Sequence, residues 1–271
     1  MSRIDHTDLV RAVREFIFLW ENIPDPVVAF AAPLKTAETR TAWVLLGSGI
    51  FQGLNYPGAV SLLKNLYEKF PEESLWEFPV PKEQELLACI PSFIRNRWSL
   101  AEQFPGIFWS AGAFVRRRAP LTAWVGEREL RELWRDLGEI YYMGKGAFRP
   151  KAVQALSRIT MPCPRGLGLL PKPSSKEMNP PLSMGLRRFV AFFGIGRAAG
   201  YEHFEEAKKR AFLIRTLNEL YPEDPPLAAH ALQFFLEEGA ADFICREHTD
   251  SCKRCPLSAF CSHSLTGEMR K

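Results

Sequence analysis

Apolar residues recur along this chain at intervals of three and four, the repeat that lines one face of an α-helix. From Pro57 to Phe70 the positions Val60, Leu63, Leu66, Tyr67 and Phe70 follow it. Pro57 suits a first turn, where a helix leaves its N–H groups unbonded anyway. The same period runs through Leu130, Leu133, Trp134, Leu137, Ile140 and Tyr141, and through Phe204–Tyr221 and Leu227–Glu238, with Gly239 placed to end the last helix. No sustained period-two alternation bounded by hairpin turns is present. The pattern predicts an all-α fold.

Proline interrupts it twice. Pro24, Pro26 and Pro33 break the N-terminal region, and six prolines fall between Met161 and Pro181, too many for a continuous helix. That second stretch reads as a long irregular connection, of the kind that is either functional or disordered when it occurs inside a compact protein. No internal repeat or low-complexity tail is evident.

The chain has 271 residues, 46% hydrophobic and 24% charged, enough for one large core or two smaller ones. Uncharged, strongly apolar stretches such as Thr41–Gly53 fall short of the roughly 20 apolar residues of a membrane span. Arg3, Asp5, Asp8, Arg11, Arg14 and Glu15 interrupt the first residues, so no signal peptide is expected and a cytoplasmic location is. The net charge of +4 is unevenly spread: between Ile140 and Arg215 there are 14 Lys or Arg against four Glu and no Asp. A basic stretch in an otherwise acidic chain points to a polyanionic partner, nucleic acid first, unless the charges are solvated helix faces pointing in different directions.

Four of the six cysteines fall together, Cys245, Cys252, Cys255 and Cys261, spaced C-x6-C-x2-C-x5-C. In a reducing compartment such a cluster binds metal sooner than it forms disulfides. Thiolates suit zinc or an iron–sulfur cube; structural zinc favours two close pairs, whereas only Cys252 and Cys255 form one here, and the unequal loops suit a larger body. Cys89 and Cys163 stand alone.

This spacing, with Cys255-Pro256-Leu257 and the preceding Phe234–Ala240 run, resembles the iron–sulfur loop of the endonuclease III superfamily of DNA glycosylases. The resemblance implies a [4Fe–4S] cluster on the four cysteines, with Lys253 and Arg254 touching DNA phosphates. It also implies two helical lobes flanking a DNA cleft: residues 35–160 as a six-helix lobe, and 1–34 with 161–271 as the cluster lobe. The expected partner is double-stranded DNA, damaged or mismatched, bound by a monomer that is nucleoid-associated in a prokaryote.

The family grips DNA with a helix-hairpin-helix, whose match here is Tyr142-Met143-Gly144-Lys145-Gly146. Glycines let the backbone approach a phosphate, and the following helix adds its N-terminal charge. Gly144, Lys145, Gly146, Arg149 and Lys151 are the implied DNA contacts. The family's strand-cleaving lysine falls on Phe148; Lys151 serves only if the turn is rearranged by three residues, and otherwise touches phosphate or lies on a solvated face. Strand cleavage is therefore not expected.

Catalytic members also carry an aspartate that stabilises positive charge at the sugar as the base departs. The matching frame, Pro181 to Phe189 and then Phe193-Gly194-Ile195, places Ser183 there. Asp136, Glu139 and Glu177 are possible substitutes, each more simply a solvated charge. Arg187 and Arg188 occupy the family's arginine region, Arg187 the more exposed and Arg188 partly structural. Gln52 follows Val44–Gly49, which resembles the helix ending in an intercalating glutamine. Tyr56, Trp98 and Trp109 are stacking candidates or core, and Arg116, Arg117 and Arg118 form a basic run. The expectation is a base-excision-repair protein, a monofunctional DNA glycosylase with an atypical site; the alternatives are an inactive module that recognises damaged or unusual DNA, and an electron carrier.

Overall fold

The computed structural model describes residues 6–51, 54, 56–71, 75, 80–144, 150–163, 165–169, 182, 184–193, 195, 199–233, 253 and 255–261. These residues are mostly helical and contain no strand, as the hydrophobic periodicity predicts. No helix among them is long and apolar enough to cross a membrane. The chain divides into two compact units, residues 24–174 and residues 1–23 with 175–271.

The 24–174 unit begins with α2 (Pro26–Ala31), α1 belonging to the other unit, and continues through α3 (Ala37–Ile50), α4 (Tyr56–Lys69), α5 (Glu83–Leu87) and α6 (Ser92–Arg95). It closes with α7 (Phe104–Arg118), α8 (Leu121–Gly126), α9 (Leu130–Leu137) and α10 (Pro150–Thr160). Its centre is α3, where every residue from Thr41 to Ile50 is buried. A helix apolar on all sides needs neighbours on all sides, and α2, α4, α7, α8 and α10 supply them. Gly47 permits the close approach of α2: a Cβ there would lie 2.6 Å from Val27. Thr36 caps α3 by accepting the Thr39 N–H at 3.0 Å, while the Glu38 carboxylate accepts the Leu121 N–H and so fastens α8 to α3.

Two boundaries differ from the sequence reading. The unit starts at 24 rather than 35 because α2 packs on α3 and because Asp25 pairs with Arg158 inside the core. It extends to 174 rather than 160. After α10 the chain turns back, and the Leu167, Gly168 and Leu169 N–H groups donate to the carbonyls of Arg158, Met161 and Ile159. Those bonds satisfy acceptors that a helix end leaves open. The first part of the proline-rich connection is thus a cap on α10; residues 170–181 lie outside the described residues.

The other unit contains α1 (His6–Trp20), α11 (Met184–Phe192), α12 (Glu206–Leu220) and α13 (Pro225–Gln233). Val13, Phe16, Ile17, Phe189, Phe193, Leu213 and Leu217 form its core. Ala228, Ala229 and Ala231 are all fully buried, so α13 presents small side chains to α1, α11 and α12, which pack around it.

Candidate functional site

The predicted hairpin is approached from α9. The helix stops at Leu137 with Gly138 as its cap, four residues short of the expected Tyr141, and Ile140 reaches the core from a turn instead. Met143 is buried completely. Tyr142 has φ 65° and Gly144 φ 95°. The left-handed conformation is ordinary for glycine, whereas at tyrosine it costs about 1–2 kcal/mol. Contacts hold it. Tyr142 donates its hydroxyl to Gln103 Oε1, the Tyr141 N–H donates to Ser110 Oγ at 2.9 Å, and the two tyrosine rings meet edge-on at 4.4 Å. Gly106 leaves room for the Tyr141 ring, which lies 3.4 Å from where a Cβ would be. Lys145, Gly146, Phe148 and Arg149 lie outside the described residues.

Beyond them Pro150 opens α10, and Lys151 sits in its first turn. The Lys151 Nζ donates to the Gly49 carbonyl near the end of α3 at 3.0 Å and lies 5.8 Å from the centre of the Tyr142 ring. Lys151 is therefore not on a solvated face, which corrects the sequence reading. Burial disfavours its charged form and lowers its pKa to about 8. At neutral pH that leaves roughly two to three orders of magnitude more free amine than an ordinary lysine carries. An uncharged amine is a nucleophile; an ammonium is not.

Two helical turns further along the same face of α10 is Arg158, one of the most deeply buried side chains of the unit. Its Nε donates to Asp25 Oδ2 at 2.9 Å and its NH1 to Ser48 Oγ at 3.0 Å, with the guanidinium 4.9 Å from the Phe51 ring centre. Lys151 and Arg158 thus hold α10 to consecutive residues of α3, Gly49 and Ser48. Sequence reasoning missed Arg158 and Asp25, and named Tyr142 only as the first residue of the hairpin match. Asp25 before Pro26 carries the signal of a helix cap, which it is, accepting the Val27 and Val28 N–H groups. The pairing with Arg158 has no local signal.

The proposed replacement carboxylates are occupied. Asp136 is buried and accepts from the Trp124 indole and from Arg128, both at 3.1 Å, with Arg118 at 3.4 Å. Glu139 bridges Arg117 and Arg118, each at 2.8 Å. This network also accounts for most of the basic run, and the Arg116 guanidinium reaches the Leu75 carbonyl at 3.4 Å. Asp136 is therefore a buried, paired carboxylate rather than a solvated charge, whereas Glu139 remains an exposed carboxylate that pairs with two arginines of α7. Tyr56 and Trp98 are core residues, not stacking groups. Trp109 is partly exposed and donates its indole N–H to the Pro81 carbonyl at 3.0 Å. Gln52 and Glu177 lie outside the described residues.

In the other unit, Arg187 of α11 makes a two-pronged contact with Glu206 at the start of α12, which Arg210 joins at 3.2 Å. The hydrogen bonds from Arg187 hold the Glu206 carboxyl below its ordinary value, so Arg187 is a paired cation. Ser183 and the side chain of Arg188 lie outside the described residues.

Residues 255–261 form a tight turn: the Ser258 N–H donates to the Cys255 carbonyl and the Cys261 N–H to that of Ser258. Leu257 is fully buried in the core of this unit, Cys261 is buried and Cys255 half-buried beside it. Lys253 is exposed; Cys245, Cys252 and Arg254 lie outside the described residues, among which no three metal-binding side chains are grouped. Two sheltered thiols on a turn anchored by Leu257 fit a soft metal centre, since thiolates favour zinc and iron–sulfur clusters over hard cations.

No protein-family model matches this chain, and no curated protein matches its sequence.

Proposed function

We propose that this chain is a DNA-binding protein of base-excision repair, similar to the endonuclease III superfamily, and that its covalent chemistry runs through Lys151. One observation carries the reading: the Lys151 amine, lowered to about 8 and held at the first turn of α10 just beyond the glycine-containing turn. Lys151 takes the role that the sequence frame gives to Phe148. The substrate is duplex DNA with an abasic site or a damaged base.

At the ring-opened sugar of an abasic site, Nζ attacks the C1′ aldehyde. The N–C1′ bond forms, water leaves, and an iminium results. The iminium acidifies C2′, whose proton passes to water. The released electron pair forms C2′=C3′ as the C3′–O bond to the 3′ phosphate breaks. Strand scission, not expected from the sequence frame, therefore belongs to this function. Cys245, Cys252, Cys255 and Cys261 would hold a [4Fe–4S] cluster, which when bound ties the C-terminal loop together and presents Lys253 and Arg254 to phosphates.

A second reading, a module that recognises damaged DNA without releasing a base, is favoured by the carboxylates. Asp136 and Glu139 are engaged by arginines, and Ser183 stands at the aspartate position.

The test is incubation of the full-length protein with duplexes bearing an abasic site or a panel of damaged bases, scoring base release and strand scission separately. Binding is measured alongside as salt is raised. Scission at the abasic site, with affinity falling linearly on a logarithmic salt scale, is the expected result. Absence of both duplex binding and product would overturn the proposal; binding without product would favour the second reading.

A further inference from the structure

Tyr142 pays a conformational cost that the adjoining Gly144 avoids, because φ 65° is a region tyrosine rarely adopts. Strained residues persist where their surroundings hold them, and they gather at functional sites. The Tyr142 hydroxyl is bound by Gln103 and its edge is covered by Tyr141, while its ring lies beside the Lys151 amine. We propose that Tyr142 is a positioning residue for Lys151: its ring closes one side of the amine's site and keeps Nζ directed at the Gly49 carbonyl, away from bulk water. The inference rests on the reading of Lys151 as the reacting amine.

The surroundings of the amine fit that role. From α3 it meets the Gly49 carbonyl, a neutral group. From the turn it meets the Tyr142 ring, with Tyr141 behind it; the hydrogen bond with the Tyr141 side chain, followed by burial, holds the Tyr142 phenol above its ordinary value, so it stays uncharged while Lys151 titrates. Gln103, from the 3-10 turn before α7, is neutral. On its own helix Arg158 is two turns away and paired with Asp25. The lowered value of Lys151 comes from desolvation, and desolvation is what an adjacent ring supplies. Removal of the ring admits water to the amine and restores its proton affinity.

The test reads the amine without DNA. The full-length protein is labelled with trace acetic anhydride between about pH 6 and about pH 11, and acetylation of the Lys151 peptide is followed by mass spectrometry. Wild-type protein and Tyr142→Phe, which keeps the ring, are expected to titrate near 8. Tyr142→Gly, which tolerates the positive φ, is expected to move the midpoint up by about one unit or more, leaving about tenfold less free amine at pH 7. An unchanged midpoint in folded Tyr142→Gly overturns the proposal. Should that variant not fold, Tyr142→Asn, which also lacks the ring and tolerates the positive φ, is expected to shift the midpoint the same way; no shift there overturns it equally. A shifted midpoint in a protein whose wild type forms no adduct with abasic DNA would reject the proposed function and keep the positioning role. Adduct formation with an unshifted midpoint would do the reverse.

Discussion

Arg158 and Asp25 stand 133 positions apart and meet in a buried ion pair, Nε to Oδ2 at 2.9 Å. Asp25 uses its other oxygen to cap α2, so one carboxylate both starts a helix and neutralises the cation that holds α10 to α3. Removing one partner of a buried pair leaves the other charged in a poor solvent, at a cost of about 3–5 kcal/mol. Asp25→Ala should therefore destabilise the protein by at least that much, since the cap is lost too. Arg158→Met, which leaves the cap in place, should cost less. Urea unfolding of both variants checks the order, and an Asp25→Ala protein within about 1 kcal/mol of wild type would show the pair to be unimportant.

Lys151 makes stability depend on pH in a definite direction. Its folded value, about 8, lies below the ordinary 10.5, so between those values the unfolded chain holds more protons on this residue than the folded one. Stability contributed by Lys151 then rises with pH across that window. Relative to Lys151→Met, wild-type protein should gain about 3 kcal/mol from pH 7 to about pH 10.5. Urea unfolding of the two proteins side by side at both pH values measures this; a constant gap would mean that the amine is not desolvated.

Much of the architecture was legible from local pattern. The periodicity around Leu63 and Leu66 gave α4 almost to its ends, and that around Phe204–Tyr221 gave α12. The exit of α9 was not legible, because Ile140 continues the helical spacing although it reaches the core from a turn. The apolar stretch beginning at Thr41 did not reveal that Thr41–Ile50 belongs to the central helix, since burial on all sides has no period to read. The candidate site was harder still. Gly144 and Lys151 were visible as residue types, but the environment of Lys151 is made by Gly49, 102 positions away, and no spacing rule encodes such a meeting. Asp136 and Glu139 looked like spare carboxylates only because Arg118, Arg128 and Trp124 approach them through the fold.

That arginine network predicts a stability defect rather than a catalytic one. Asp136→Ala leaves the buried Trp124 indole without its acceptor and removes the partner of Arg128, while Arg118 keeps Glu139, and should cost about 1–3 kcal/mol. Glu139→Gln, at exposed pairs, should change stability by less than about 1 kcal/mol. Neither should abolish DNA chemistry in protein that remains folded. Loss of product formation in folded, stable Glu139→Gln would assign that carboxylate a direct role.

The cysteine turn makes a separate prediction. Protein purified without oxygen should carry about four iron atoms per chain and be brown. Cys255→Ser and Cys261→Ser should lose most of the iron, whereas Cys89→Ser, buried in the other unit, should retain it. Elemental analysis decides between iron and zinc, and colourless protein containing zinc alone would exclude the cluster.

Borohydride trapping on a duplex with one abasic site decides whether Lys151 is the attacking amine. Wild-type protein should give a one-to-one covalent adduct whose cross-linked peptide contains Lys151. Lys151→Met and Lys151→Arg should give none, while Lys145→Met should still give it. An adduct of undiminished yield in Lys151→Met, or no adduct from wild-type protein that binds the same duplex, would show that Lys151 is not the attacking amine.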